Sequence, residues 1–405
     1  MRTLKNLLLA SVVGGATLGM SSCSENSENG NGGGGAGNQT IEATWSNYSG
    51  YTRVVSEVLE RDAFSIYALW KGTNNLPADE VSRVEELEIP AMLADGYGNL
   101  FKKHQAGSTY PNAKVCLQTI IAASVDIATE VSEQKIAAPY NEKNVYGVES
   151  WYSFNSYTDY DDNIKSIENA YLGGPEDNRD EATSLYAAVK AVNVTLAEQV
   201  KSDIEASHQA LKAAKEQGCF RDAVLAYANN NIKSPQVEQA ITTIGTLAQS
   251  LEQLNGAVEA ISETVADQVV TNYVDRTVIP TYTNLKNEAG KLVEAVSKYT
   301  QNPTQENLDA ACQQWKQTRI PWERSEAFLF GPVADQQFDP HLDSWPLSQL
   351  NIKSILRGNF DWANEDGSSM GANTLGFHTL ELLLFENGNP RQVTTFIKDG
   401  MVTIQ

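Results

Sequence analysis

The sequence predicts an all-α protein, with two helix-bundle-like halves packed into one unit and joined by long ordered loops. Three observations carry this. Apolar residues recur every three and four positions over several long stretches. A capping signature separates two of those stretches. No alternating strand pattern of useful length competes. At roughly 100–200 residues per domain, 405 residues suggest two halves. We place them at 41–265 and 266–405.

Residues 1–22 read as a targeting segment. Arg2 and Lys5 form a short basic region, and Leu7 to Met20 is apolar but too short to span a bilayer. The segment ends Met20-Ser21-Ser22-Cys23, similar to a bacterial lipobox with a loose first position. In that reading cleavage precedes Cys23, whose thiol then carries lipid. An ordinary secretory signal is the alternative. The Gly-, Asn- and Ser-rich run over 23–40 favours the lipobox, because it reads as a flexible tether between anchor and domain. The expectation is a protein of the cell envelope, lipid-anchored to the outer membrane. No second apolar run of about 18 residues is apparent, so the anchor is its membrane contact.

Tyr51 to Trp70 and Ala113 to Val131 read as helices. Leu185, Val189, Val192, Leu196, Val200, Ile204 and Leu211 form one stripe, and Val237 through Val265 a longer one. Tyr282 to Tyr299 is a third. Asn302 and Pro303 then suit the cap and first position of a helix whose inner face includes Leu308, Cys312 and Trp315. Three segments read as irregular: 135–174, 218–234 and 331–366. Loops this long inside a bundle are uncommon unless they serve a purpose.

Lys plus Arg is 30 and Asp plus Glu is 51, a formal net charge of -21. That excludes a basic nucleic-acid-binding surface and suits cationic ligands. After cleavage Cys116, Cys219 and Cys312 remain, and buried free thiols are expected at 116 and 312. Four histidines and no HExxH exclude a standard zincin site. There is no phosphate loop, nucleophile elbow or dinucleotide fingerprint.

Leu375 to Phe385 is apolar on nearly every helical face, so it is buried all round. His378 and Glu381 lie within it at i, i+3, on one face, and must find partners. That spacing suits two ligands of one metal ion, an acid/base pair, or a purely structural pair. In Trp315 to Pro332, the residues Trp315, Arg319, Trp322 and Glu326 fall on one face if the helix survives Pro321. Arg319 could hold Glu326 or a ligand carboxylate there. Glu149 to Gly174 offers many oxygen and amide groups.

Together these stretches resemble the imelysin family. The GxHxxE hallmark reads Gly376-Phe377-His378-Thr379-Leu380-Glu381. The Trp-x3-Arg and Ser-Glu-Ala-Phe-x-Phe-Gly-Pro signature reads Trp315 to Pro332. The Asp-x-Trp-Pro element reads Asp343 to Pro346. Val148 to Ser153, with Asp159, Asn163, Ser166 and Tyr171 to Gly174, is similar to the family's second-half signature. The order of the halves is reversed from the usual one, which reads as a circular permutation. The resemblance implies an all-helical fold with its site between the halves and a role in iron uptake. It also implies a metallopeptidase label.

From these residues we expect a metal ion, iron or zinc, at His378, Glu381 and Glu326. Trp315, Arg319, Asp343, Glu149, Ser153 and Asp159 are expected to contact the ligand. Capture of iron or a small iron-bearing ligand is favoured, with other envelope iron-uptake proteins as partners. A zinc-dependent metallopeptidase using His378 and Glu381 is the alternative. The preference rests on the single imidazole in a matched motif, since oxygen-rich sites suit iron as well as zinc.

Overall fold

The computed structural model describes residues 40–90 and 92–404. The proposed signal, Cys23 and most of the tether lie outside the described residues. β1 (Ile41–Thr44) leads into α1 (Trp45–Lys71), where the Thr44 hydroxyl caps the helix by accepting from Asn47 N. The helices that follow are α2 (Ala78–Glu86), α3 (Tyr97–Lys103), α4 (Ala113–Thr129), α5 (Ser156–Leu172), α6 (Leu185–Val192), α7 (Val194–Lys215) and α8 (Phe220–Asn230). Next come α9 (Pro235–Val258), α10 (Glu263–Asn272), α11 (Ile279–Gln301), α12 (Gln305–Glu323), α13 (Phe338–Asp343), α14 (Gln349–Arg357) and α15 (Gly376–Leu384). The chain closes with β2 (Phe385–Glu386), β3 (Asn389–Pro390), β4 (Ile397–Lys398) and β5 (Met401–Ile404). β5 pairs antiparallel with β1, Ile404 opposite Ile41, and with β4. The first and last described elements are therefore neighbours.

Two groups of helices share one continuous core. In the first, α11 lies along α1 and α12, while α15 packs on α1 and α12. In the second, α9 lies along α7 and α4, while α5 packs on α7. α12 also meets α5, which brings the groups together. The all-α expectation holds. The division of the chain is corrected at its start: α1, assigned to the half 41–265, packs on α11. The apolar face of α1 is the physical reason, with Val54, Val55, Val58 and Leu59 all buried. The boundary at 265/266 falls inside α10.

Other expectations shift for local reasons. The stripe from Leu185 to Leu211 is two helices, because the Asn193 side chain accepts from Leu196 N and starts α7 afresh. The stripe from Val237 to Val265 ends at Val258, and Ser262 caps α10, leaving Val265 exposed. Asn302 closes α11, and Thr304 is the residue that caps α12. The segments read as irregular contain α5, α8, α13 and α14. Ala113–Asn141 is long and apolar enough by length and composition to cross a membrane, contrary to the reading above. Here it packs against α9 and α10 as a core helix. It passes through a π segment, Glu130–Ala137, and a second π segment, Tyr273–Val278, precedes α11. Such bulges often mark functional sites. Cys116, Cys219 and Cys312 are free thiols, with 116 and 312 buried.

His208 clamps α7 to α5. Its Nδ1 lies 2.6 Å from Asp161 Oδ1 and its Nε2 3.2 Å from Glu168 Oε2. Burial pushes the imidazolium pKa down, but the hydrogen bonds to the two carboxylates outweigh it and raise the pKa to about 9. The folded value thus exceeds the unfolded value of about 6.5. The clamp contributes fully below about pH 6.5 and is lost as pH rises through about 9. Urea midpoints should therefore fall across this alkaline window in the wild type. His208→Gln should flatten that fall, and an unchanged slope would remove His208 from the stability balance.

Candidate functional site

Gly376 sets the site's geometry. It opens α15 with φ +75°, and a Cβ there would stand 2.2 Å from Leu342 O and 2.6 Å from His341 O. Only glycine lets the end of α13 approach so closely. That approach delivers Asp343 to His378, whose Nε2 lies 3.1 Å from Asp343 Oδ1. Every residue of α15 is buried, so the imidazole and carboxylate on it need partners.

Glu381 is fully engaged. Its Oε1 accepts from Tyr152 N at 2.9 Å, Ser153 N at 2.7 Å and Ser153 Oγ at 2.7 Å. Its Oε2 faces His378 Nδ1 at 3.0 Å. A carboxylate on Nδ1 orients the ring and leaves Nε2 to face the site. Nε2 is buried and has no aligned hydrogen-bond partner among the described residues. Burial lowers the His378 pKa, but the Asp343 charge, with the Glu381 carboxylate at Nδ1, raises it to about 9. The Trp345 ring covers His378 edge-on at 4.9 Å, and its Nε1 donates to Tyr146 O.

α12 supplies the opposite wall. Trp315 Nε1 donates to Phe377 O at 2.9 Å, fixing α12 on α15. Arg319 is 1% exposed, and its guanidinium pairs with Asp343. It also stands 2.5 Å from Glu323 Oε1 and 3.6 Å from Asp159 Oδ2. Trp322 Nε1 donates to the second Asp343 oxygen at 2.7 Å. From α5 and the loop before it, Asp159 accepts from Ser150 Oγ and from Asn155 Nδ2, and Glu323 accepts from Asn163 Nδ2. Asp159 and Glu323 are buried, and burial is the main cause raising both, Glu323 to about 8.

Glu326 is not the partner of Arg319. α12 ends at Glu323, just past Pro321, and a 3-10 turn follows. The face from Trp315 is not sustained that far, so Glu323, at i+4, takes the arginine. Glu326 instead joins Glu323 and Asp343 in a carboxylate group whose ligand atoms lie within 4.8 Å of one another. Glu149 stands farther out, against Lys135. Asp339 reaches solvent, yet burial, with Asp343 as the next cause, raises its carboxyl to about 7.

The structure therefore gathers His378, Glu381, Trp315, Arg319, Asp343, Ser153 and Asp159 in one buried network, with Glu326 at its edge. Sequence reasoning missed Glu323, although the i+4 spacing from Arg319 was available. It also missed Ser150, Lys135, Glu130 and Asp339, which reach the site only through tertiary packing. Removing the guanidinium leaves buried acids unpaired, and such losses cost about 3–5 kcal/mol. Arg319→Met should show a loss of that order in urea unfolding at neutral pH. A loss under about 1 kcal/mol would contradict this role.

The imelysin family profile matches residues 31–254 and 278–404. An imelysin peptidase from Bacteroides ovatus, of known crystal structure, is 34% identical, with a TM-score of 0.72 over 86% of this chain and 96% of that one. Iron-regulated protein A of Synechococcus elongatus is 32% identical over 149 residues. That match spans 37% of this chain and 40% of the relative's length.

Proposed function

The chain belongs to the imelysin family, and from that premise we propose that it captures a metal cation, iron or a small iron-bearing ligand, where the ends of α12 and α13 meet α15. The observation that carries this reading is the carboxylate group of Glu323, Glu326 and Asp343 beside the buried Nε2 of His378, which lies 3.1 Å from Asp343 Oδ1 without an aligned hydrogen bond. Glu323 Oε1, wholly buried, also lacks an aligned donor. Burial holds several of these acids above their usual range, so a cation that replaces their protons fits the site. Oxygen-rich donors with a single imidazole suit iron or manganese better than a thiolate- or histidine-rich zinc site.

In this reading Asp343, Glu323 and Glu326 would hold the ion through oxygen, and His378 through Nε2. Glu381 is a positioning residue: it lies outside the carboxylate group and ties the Tyr152 and Ser153 backbone to the His378 ring. Arg319 orients Asp343 and Glu323. The likeness, over part of its length, to an iron-regulated protein supports an iron-related role; iron uptake with other envelope proteins as partners is part of this proposal. The likeness to an imelysin peptidase supports the second reading, zinc-dependent peptide hydrolysis. A zinc ion would supply Lewis acidity there. Against it stands Glu381, whose four accepted contacts leave it poorly placed as a general base. The reversed motif order is read as a circular permutation, supported by the pairing of β1 with β5.

His378→Ala should abolish binding of ferrous iron in anaerobic calorimetry while circular dichroism keeps nearly full helix content. If the wild type binds no transition metal at micromolar concentration and the variant unfolds, His378 and Glu381 are a structural pair. Peptide hydrolysis by the wild type that a chelator stops and zinc restores would favour the enzyme.

We also propose that Cys23 carries lipid and tethers the chain to the outer membrane. Cys23→Ala should shift the protein from the membrane to the soluble fraction. Unchanged detergent partitioning would refute the anchor.

A further inference from the structure

Trp345 covers His378, and the proposed function gives it no task. His378 is 1% exposed, yet a cation held by its Nε2 has to reach it. Three neighbours enclose the ring. Glu381 closes Nδ1 at 3.0 Å and is wholly buried. Asp343 meets Nε2 at 3.1 Å, and its side chain is 5% exposed. The Trp345 ring lies edge-on to the imidazole with centroids 4.9 Å apart, and Trp345 is partly exposed.

These neighbours differ in how they can move. Asp343 is gripped by the Arg319 guanidinium and by Trp322 Nε1. Glu381 is gripped by Tyr152 N, Ser153 N and Ser153 Oγ. Displacing either strips a buried charge of its partners, which is costly. Trp345 carries no charge. Its N–H donates to Tyr146 O at 3.1 Å, and Tyr146 is 52% exposed. The Tyr152 ring beside it, with centroids 6.4 Å apart, is partly exposed, and Pro346, next in the chain, is exposed. Side chains near solvent change rotamer readily. The indole can therefore turn outward while every charge around His378 stays paired.

We propose that the Trp345 indole is the gate to His378: it turns outward on the segment between α13 and α14 to admit a cation to Nε2, then turns back to seal it. Passage of a cation rests on the capture reading above, but the barrier over the imidazole does not.

The test uses the full chain in two readouts. Deuterium exchange at the imidazole carbon between the ring nitrogens, followed by mass spectrometry, reports solvent access to each histidine without any metal. Stopped-flow absorbance with cobaltous ion, on protein stripped by chelator, gives the rates of binding and release. In Trp345→Ala, exchange at His378 should quicken several-fold while His208 keeps its wild-type rate. Cobalt binding and release should quicken together, leaving affinity nearly unchanged. Trp345→Phe keeps a ring but loses the bond to Tyr146 O, so its rates should rise by up to about tenfold, the worth of one hydrogen bond. It carries the test if the alanine variant does not fold. If exchange at His378 and both cobalt rates stay at wild-type values, the gate is refuted and the capture reading stands. If release alone quickens and affinity falls, Trp345 is a prop for the site and the gate is again refuted. If the wild type binds no cobalt while exchange at His378 quickens in the variants, the indole remains the barrier and the capture reading fails.

Discussion

The rest of the structure depends on one buried guanidinium. Arg319 holds Asp343, Glu323 and Asp159, which come from the end of α13, from α12 and from α5. Two of these elements belong with the first helix group and one with the second. Burying that many charges is costly unless each is paired, so the network forms only when both groups are in place. The helix stripes supply the bulk of the core, and the network fixes how its parts register.

Much of the fold was legible because helical stripes are local. The faces of α9 and α11 follow directly from apolar spacing, and both are buried as the spacing requires. Breaks inside stripes were not legible, because one side chain decides each. Asn193 and Ser262 restart helices by accepting a single backbone hydrogen bond, and an apolar pattern runs through such a point unaltered. The placement of α1 was hidden for another reason. Its face could have packed on either helix group, and its packing on α11, with the pairing of β1 with β5, ties it to the C-terminal one.

The site was legible where a polar residue stood on an apolar face. His378, Glu381 and Arg319 each violate a stripe, and each violation is resolved by a partner. Distances along the helix were less dependable, because Pro321 and the turn after Glu323 moved Glu326 away from Arg319. Lys135, Glu130 and Asp339 carried no signal of their own, since lysines and acids in loops or bulges usually face water. Their meaning comes from the charges that tertiary packing sets beside them.

The central claim is that oxygen donors from α12 and from the end of α13 hold a cation beside His378. Anomalous diffraction from crystals soaked in manganous ion tests it most directly. The account predicts a peak among Glu323, Glu326, Asp343 and His378 Nε2, with Glu381 still held by Tyr152 and Ser153. A fully soaked crystal with no peak there, or with its peak elsewhere, would contradict it.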